Sequence, residues 1–490
     1  MTRALAVLGT ASDVGKSVIT VALCRLLADA GLDVAPFKAQ NMANQAGVTA
    51  DGLEMPRAQI VQARAARKSP HVDMGPILLK PVDHTGAQLV ILGKAVRVVQ
   101  AADYFADTSE LATIAHAALG RLAARHAVIV LEGAGSPVEL NLLGRDFVNL
   151  PAARRVDAAL IIVADIDRGG VFAQVKGTLD LLPPDDRRRV LGVIVNRFRG
   201  DATLFETGVT RLEALAGVPV LAVVPHLAHG MDEEDRPLPI GIDTRAPSGA
   251  LAVGALLSPR VSNTEDLTPL LAEPDVHVTW ITDPRLAAEQ DVLVLPGSKA
   301  TVADLTHHTT SGLSQVIVDA ARDGAWVLGL CGGYQMLGED LEDRARTEGG
   351  PPCWRGLGLL PVRTIFEPTK RVQESVFMSL WPIAGRPLSG YEIHHGRSEA
   401  TGDATPIVLE GGVEIGCRRG RAIGCYLHGL LADDEWRAAF LNVVREDRGY
   451  PRQPVRRAEP LDSRIDRWAR HVHRSLRGDA WPRILRAATA

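Results

Sequence analysis

Two groups of residues in this chain have types and spacings that could do chemistry. The first is Gly329-Leu330-Cys331-Gly332-Gly333, which follows directly on the apolar residues Trp326, Val327 and Leu328. It is the thiol form of the G-x-S-x-G elbow, in which a strand hands one nucleophile to a tight turn before a helix. Such a turn needs small neighbours, because its backbone is strained and bulky side chains would block the substrate. The helix expected after Cys331 aims its N-terminus at the sulfur and favours the thiolate. A plain buried cysteine is the alternative, and the Gly-Cys-Gly-Gly frame argues against it.

The second group is Gly9-Thr10-Ala11-Ser12-Asp13-Val14-Gly15-Lys16-Ser17, between the apolar strand Ala4–Leu8 and a helical pattern carrying Val21, Leu23, Leu26 and Leu27. It is a phosphate-binding loop with one residue more between its glycines than G-x-x-x-x-G-K-[ST]. Gly9, Thr10 and Gly15 shape a backbone whose N–H groups cradle phosphate oxygens. Lys16 would neutralise the terminal phosphates and Ser17 would ligate Mg²⁺. A nucleotide, ATP, is the ligand this implies.

These sites must be positioned by more than one core. A chain of 490 residues exceeds one ordinary domain. Short apolar strands at Ala4–Leu8, Val34–Phe37, Ala127–Leu131, Ala159–Val163, Val190–Val195 and Val220–Val223 alternate with helical patterns, which predicts a parallel sheet covered on both faces. We place this first α/β domain at 1–231. The acidic, Pro/Gly-rich stretch 232–249 reads as a linker. A second α/β domain spans 250–440, with strands expected at Leu251–Leu256, Val276–Ile281, Val292–Leu295, Val327–Leu330 and Ala422–Leu427. The Arg-rich end, 441–490, reads as a helical extension that packs on the body, its arginines solvated.

Composition narrows the classes. Apolar residues make up 46% and charged residues 23%, as in a water-soluble globular protein, and the net charge of −4 gives no footing for nucleic-acid binding. Five cysteines show neither metal spacing nor a disulfide framework, which fits a reducing cytoplasm. The first apolar stretch is broken by Gly9 and Asp13, so neither a signal peptide nor a membrane span is expected there.

In the second domain Cys331 needs a base and an oxyanion site. Gly424-Cys425-Tyr426-Leu427-His428-Gly429 puts His428 at the end of an apolar strand, and Pro296-Gly297 closes the strand Val292–Leu295. The N–H groups of Gly297 and Gly332 would then stabilise a tetrahedral oxyanion. Cys331, His428 and the Pro296-Gly297 turn, in this order, resemble a class I glutamine amidotransferase domain, which implies glutamine hydrolysis through a thioester. The usual His-x-Glu is missing, since Gly429 and Leu430 follow His428. The orienting acid is absent or comes from elsewhere, Asp433 and Glu435 being the nearby choices.

The first domain resembles dethiobiotin synthetase in its phosphate loop and in Glu132-Gly133-Ala134-Gly135. Phe37-Lys38-Ala39-Gln40-Asn41-Met42, Asp51-Gly52, Arg57-Ala58-Gln59, Leu78-Leu79-Lys80-Pro81, Asp165-Ile166-Asp167-Arg168-Gly169-Gly170, Asn196-Arg197-Phe198-Arg199-Gly200-Asp201 and Tyr391-Glu392-Ile393-His394 extend the match over roughly residues 4–440. Together they resemble the adenosylcobyric acid synthase family. The resemblance implies amidation of the b, d, e and g carboxylates of a corrinoid a,c-diamide, with small-molecule partners only: the corrinoid polycarboxylate, glutamine and ATP. Within it Lys38 would screen the meeting of phosphate and carboxylate. Asp51 and Glu132 would join Ser17 on Mg²⁺, and Asn196 is placed like an adenine contact. Asp51 also suits a simple Asp-Gly turn, Glu132 a strand-end cap, and Asn196 a strand terminator. Two other readings stand beside this one: the sister a,c-diamide synthase, and a partitioning-type P-loop switch ATPase, for which a thiol nucleophile would have no use.

Overall fold

The computed structural model describes residues 2–81, 86–142, 144–231, 241–348 and 352–489. The first domain is a six-stranded, all-parallel sheet in the order Val220–Pro225, Val190–Phe198, Ala159–Asp165, Arg3–Gly9, Val128–Glu132, Val34–Phe37. Its central strands are apolar along their whole length because helices cover both faces. On one face Leu119, Leu122, Val175, Leu179 and Leu212 pack against Ala6, Leu8 and Ile162. On the other, Ile19, Leu23 and Leu27 of the helix Lys16–Asp29 pack against Leu5, Val7 and Ile161. The doubly wound expectation is met.

The C-terminal helices Leu461–Arg474 and Ala480–Thr489 complete this second face. Ile465, Trp468, Val472 and Ile484 are buried in the same core as Leu5 and Ile19. The chain therefore returns to its first domain after building the second. The preceding helix, Asp434–Asp447, runs through residue 440 and lies in the second domain's core through Trp436, Phe440 and Leu441.

The second domain is built on five parallel strands in the order Val276–Ile281, Leu251–Leu256, Val292–Leu295, Trp326–Leu330, Ala422–Cys425. The sheet continues antiparallel through Val413–Arg419, Thr405–Glu410 and the long pair Val362–Ser379 with Arg386–Ala400. Of the linker expected at 232–249, residues 232–240 lie outside the described residues. Beyond them Ile242 makes a single parallel bridge to Trp280 and Asp243 accepts from the Thr282 amide, so 242–243 belong to the second sheet's edge.

Two small sheets were not read from the sequence. Gln40–Met42, Ile77–Pro81, Gly86–Ile91 and Lys94–Gln100 form one, and the hairpin Ala46–Val48 with Glu54–Pro56 the other. Both project from the first domain toward the second. There Ala43, Ala46, Leu78 and Val90 share an apolar cluster with Ile393 and Tyr391 of the long pair.

Candidate functional site

The strand Trp326–Leu330 delivers Cys331 to the N-terminus of the helix Gly332–Leu337. Cys331 has φ 51 and ψ −106, a conformation that costs a non-glycine residue about 1–3 kcal/mol and persists only where the surroundings hold it. The turn fits only because Gly333 lacks a side chain: a Cβ there would lie 1.9 Å from the Leu295 carbonyl oxygen. The helix is only six residues long. The expected helix N-terminus does face the sulfur, but so short a helix leaves His428 as the larger positive partner.

His428 lies slightly off its expected place. The strand ends at Cys425, and the chain leaves the parallel ladder so that His428 instead pairs backbone to backbone with Tyr391 (His428 N to Tyr391 O 2.9 Å). The left-handed Gly429, φ 94, permits this turn. The imidazole is buried and stacks on the Tyr391 ring at 5.0 Å. Its Nδ1 lies 2.7 Å from Asp266 Oδ2, while Asp266 Oδ1 accepts from the Gly429 amide at 2.8 Å. The carboxylate that pairs with His428 is thus Asp266, and it comes from 162 residues upstream, on the 3-10 helix Thr264–Ala272. The nearby acids are used elsewhere: Asp433 caps the helix Asp434–Asp447, and both it and Glu435 bind Arg386.

Nε2 of His428 is buried without a hydrogen-bond partner of good geometry. Burial works against the imidazolium, but the Asp266 carboxylate and the Cys331 thiolate outweigh it and raise the pKa well above the ordinary histidine value. Gly297 lies against the ring, since a Cβ on it would come 3.4 Å from His428 Cε1. A Cβ on Gly332 would come 2.8 Å from the Ser298 amide nitrogen, so the two predicted oxyanion elements meet. Ser298 Oγ donates to buried Asp304 at 2.6 Å, which fixes that turn. The cavity holding Cys331 and His428 has a volume of about 60 Å³ and also touches Lys80 and Gln88 of the first domain. Beside it Glu54 binds Lys80 at 2.7 Å and Lys370 at 2.8 Å.

In the first domain the strand Arg3–Gly9, the loop and the helix Lys16–Asp29 stand as expected. Lys16 Nζ donates to the Ala11 and Gly135 carbonyls, closing the loop over the Glu132 turn. Gly9 packs tightly under this loop, and Thr10 Oγ1 donates to Gln174. Glu132 gathers two of the predicted residues, Ser17 Oγ at 2.7 Å and Lys38 Nζ at 2.8 Å, together with Gln62 Nε2 at 2.5 Å, which the sequence did not single out. Burial pushes its carboxyl toward the neutral form, but the Lys38 ammonium and these hydrogen bonds hold the pKa below the ordinary carboxylate value. Ser17 and Glu132 thus offer two oxygen ligands for a hard cation beside a phosphate cradle.

One expectation is corrected here. Asp51 is not brought to this group; it is exposed in the turn of the hairpin, next to Gly52, which faces the Val372 carbonyl of the second domain. The Asp-Gly turn reading explains it. Asn196 lines the nucleotide cavity, but its amide is committed to the phosphate loop: Nδ2 donates to the Val14 carbonyl at 3.0 Å and lies where a Cβ on Gly15 would be.

The cavity over this cradle measures about 440 Å³ and includes Trp468 from the C-terminal helix, whose Nε1 donates to the Val18 carbonyl at 2.7 Å and whose ring meets His229 edge-on. Sequence reasoning missed Trp468 and Asp266 alike. Each lies far along the chain from the group it serves, and no local motif marks either.

Fold and site together define a two-domain enzyme that joins a nucleotide-binding domain to a glutamine amidotransferase domain. Family models agree: residues 5–239 match the CobQ/CobB/MinD/ParA nucleotide binding domain, and residues 252–436 match the CobB/CobQ-like glutamine amidotransferase domain. The cobyric acid synthase of Chlorobaculum tepidum is 48% identical over 91% of this chain and 91% of its own length. Those of Sorangium cellulosum, at 44% over 96% of each chain, and Geobacillus thermodenitrificans, at 43% over 96% of this chain and 95% of its own, are similar throughout. The chain belongs to the cobyric acid synthase family, glutamine-dependent amidating enzymes of cobalamin biosynthesis. Among the described residues no helix is long and apolar enough to cross a membrane.

Proposed function

We propose that this enzyme converts adenosylcobyrinic acid a,c-diamide to adenosylcobyric acid, amidating the b, d, e and g carboxylates with ammonia from glutamine and energy from ATP. The observation that carries the reading is the Cys331–His428–Asp266 arrangement in the same chain as a complete phosphate loop. The Cys331 thiolate attacks the glutamine carboxamide carbon, and the N–H groups of Gly297 and Gly332 bind the oxyanion. The His428 imidazolium gives its Nε2 proton to the leaving nitrogen, releasing ammonia and a glutamyl thioester. His428 then takes a proton from water, which hydrolyses the thioester to glutamate and returns the thiolate.

In the first domain a carboxylate becomes a leaving group only as a mixed anhydride with phosphate. Lys16 and Lys38 would screen the approach of the two anions. Ser17 and Glu132 would hold Mg²⁺, which would add charge neutralisation at the phosphates. A second cavity of about 280 Å³ shares Ser12, Ala134 and Gly135 with the nucleotide cavity and is walled by Tyr104, Leu142, Phe147 and Arg145. Its apolar wall and guanidinium suit one carboxylate-bearing edge of a corrinoid. The names of the relatives favour this product over that of the sister diamide synthase, and a switch ATPase leaves the triad unexplained.

The test is product mass spectrometry with the corrinoid diamide, ATP and either nitrogen source. Wild type should add four amides. Cys331→Ala should lose synthesis from glutamine and keep synthesis from ammonium. Glutamine-driven synthesis by Cys331→Ala would refute the assignment.

A further inference from the structure

The acid that orients His428 is itself held from the other domain. Gln45, 2% exposed, lies in the first domain between the strands Gln40–Met42 and Ala46–Val48. Its side-chain amide meets Thr264 reciprocally: Nε2 donates to Thr264 Oγ1 at 2.8 Å, and Oε1 accepts from the Thr264 amide at 3.2 Å. Thr264 opens the 3-10 helix that carries Asp266, directly after Asn263, whose left-handed φ of 53 sets the entry of that helix. A second tie runs beside the first. The Tyr391 hydroxyl accepts from Asn263 at 2.8 Å and shares its single proton between the Glu265 carboxylate at 3.0 Å and the Ala46 carbonyl at 3.2 Å. Both groups that contact the His428 ring, Asp266 and Tyr391, are thus anchored on residues 45–46 of the nucleotide-binding domain.

The same segment reaches the phosphate site. Asn41 lines the nucleotide cavity and donates to Gln59 at 3.1 Å, Gln59 donates to Gln62 at 3.4 Å, and Gln62 donates to Glu132. All four side chains are buried, so each amide has its direction set by the next.

We propose that Gln45 is a positioning residue for glutamine hydrolysis: the first domain supplies the clamp that sets Asp266, and through it the charge and orientation of His428. The proposal rests on the glutaminase reading of Cys331. Its logic is geometric. Asp266 Oδ2 is 2.7 Å from Nδ1, and a shift of about 1 Å at a catalytic group can cost on the order of a hundredfold. Removing the Gln45 amide leaves the Thr264 N–H and Oγ1 buried without their partner, and the helix start must move to find another.

The experiment measures glutamine hydrolysis against pH, and ammonium-driven amidation, in the full chain. Gln45→Leu should lower kcat for hydrolysis roughly tenfold to a hundredfold and move the alkaline limb of the profile to lower pH, because a displaced Asp266 supports the imidazolium less. Ammonium-driven amidation should hold. Gln45→Glu should recover most of kcat, since its carboxylate accepts from the Thr264 N–H and from the Thr264 hydroxyl turned as donor. Wild-type kcat and limb in Gln45→Leu overturn the proposal. If Gln45→Leu loses both activities, Thr264→Val decides: a lowered alkaline limb supports the clamp, and a wild-type limb overturns it. Cys331→Ala in the same assay separates the two readings, because hydrolysis that survives it defeats the nucleophile assignment itself.

Discussion

Asp266→Asn isolates the charge of the orienting acid while keeping its shape. In the native site one carboxylate serves two donors, His428 Nδ1–H and the Gly429 amide, through different oxygens. An asparagine has one acceptor oxygen and turns an NH₂ toward the other donor, so one bond is lost and the other is no longer charge-assisted. Hydrogen bonds to charged groups contribute about 1.5–3 kcal/mol. Losing that contribution lowers the His428 pKa from its raised position. The thiolate–imidazolium pair exists between the pKa of the thiol and that of the imidazolium, so its window closes from the alkaline side. Glutamine hydrolysis should fall roughly tenfold to a hundredfold at neutral pH, with the alkaline limb moved to lower pH and ammonium-driven amidation unchanged. Stopped assays of glutamate release across pH 6–10 would read both effects. Wild-type kcat with an unmoved limb would refute the role given to Asp266.

Two further outcomes follow from the domain contacts. Trp468→Phe keeps most of the buried ring but removes the Nε1 bond to Val18, worth about 0.5–1.5 kcal/mol; KM for ATP should rise by roughly two- to tenfold while glutamine hydrolysis alone is unaffected, and an unchanged KM would take Trp468 out of the nucleotide site. Burial works against charge on Glu54, yet Lys370 and Lys80 bring it down to about 2, while burial brings Lys370 down to about 8. A depressed carboxyl stabilises the fold above its unfolded pKa and loses that contribution as pH falls from about 4.5 toward 2. Glu54→Gln should therefore lower Tm at pH 7, by roughly 5 °C for a change of a few kcal/mol, and the gap to wild type should close below pH 4.5. A gap that stays constant with pH would show that Glu54 is not the ionised centre of this cluster.

Much of both sites was legible because their chemistry is local. The phosphate loop and the cysteine elbow are each a strand, a turn and a helix contiguous in sequence (residues 3–29 and 326–337), and their glycines are demanded by close approaches such as that of Gly333 to Leu295. The parallel strands were equally plain, since strands buried on both faces are apolar throughout. The long pair Val362–Ser379 with Arg386–Ala400 escaped because its exposed stretches mix charged and apolar residues without a clean period. The strand holding His428 was read two residues too long, because Tyr426 and Leu427 are as apolar as a strand interior although the chain has already turned toward Tyr391.

The sequence by itself determined the two α/β units, the phosphate loop with Lys16 and Ser17, and the glycine-flanked turn that carries Cys331. Only the tertiary structure placed Asp266 beside His428, since an aspartate 162 residues from its histidine leaves no spacing to read. It also decided that Asp51 is a turn residue, that Asn196 supports the phosphate loop, and that the C-terminal helix closes the first domain and walls its nucleotide cavity. The physical reason is common to all of these. Hydrogen bonds and ring contacts act over a few ångströms in space whatever the separation along the chain, whereas periodicity and motif report only what neighbours in sequence do.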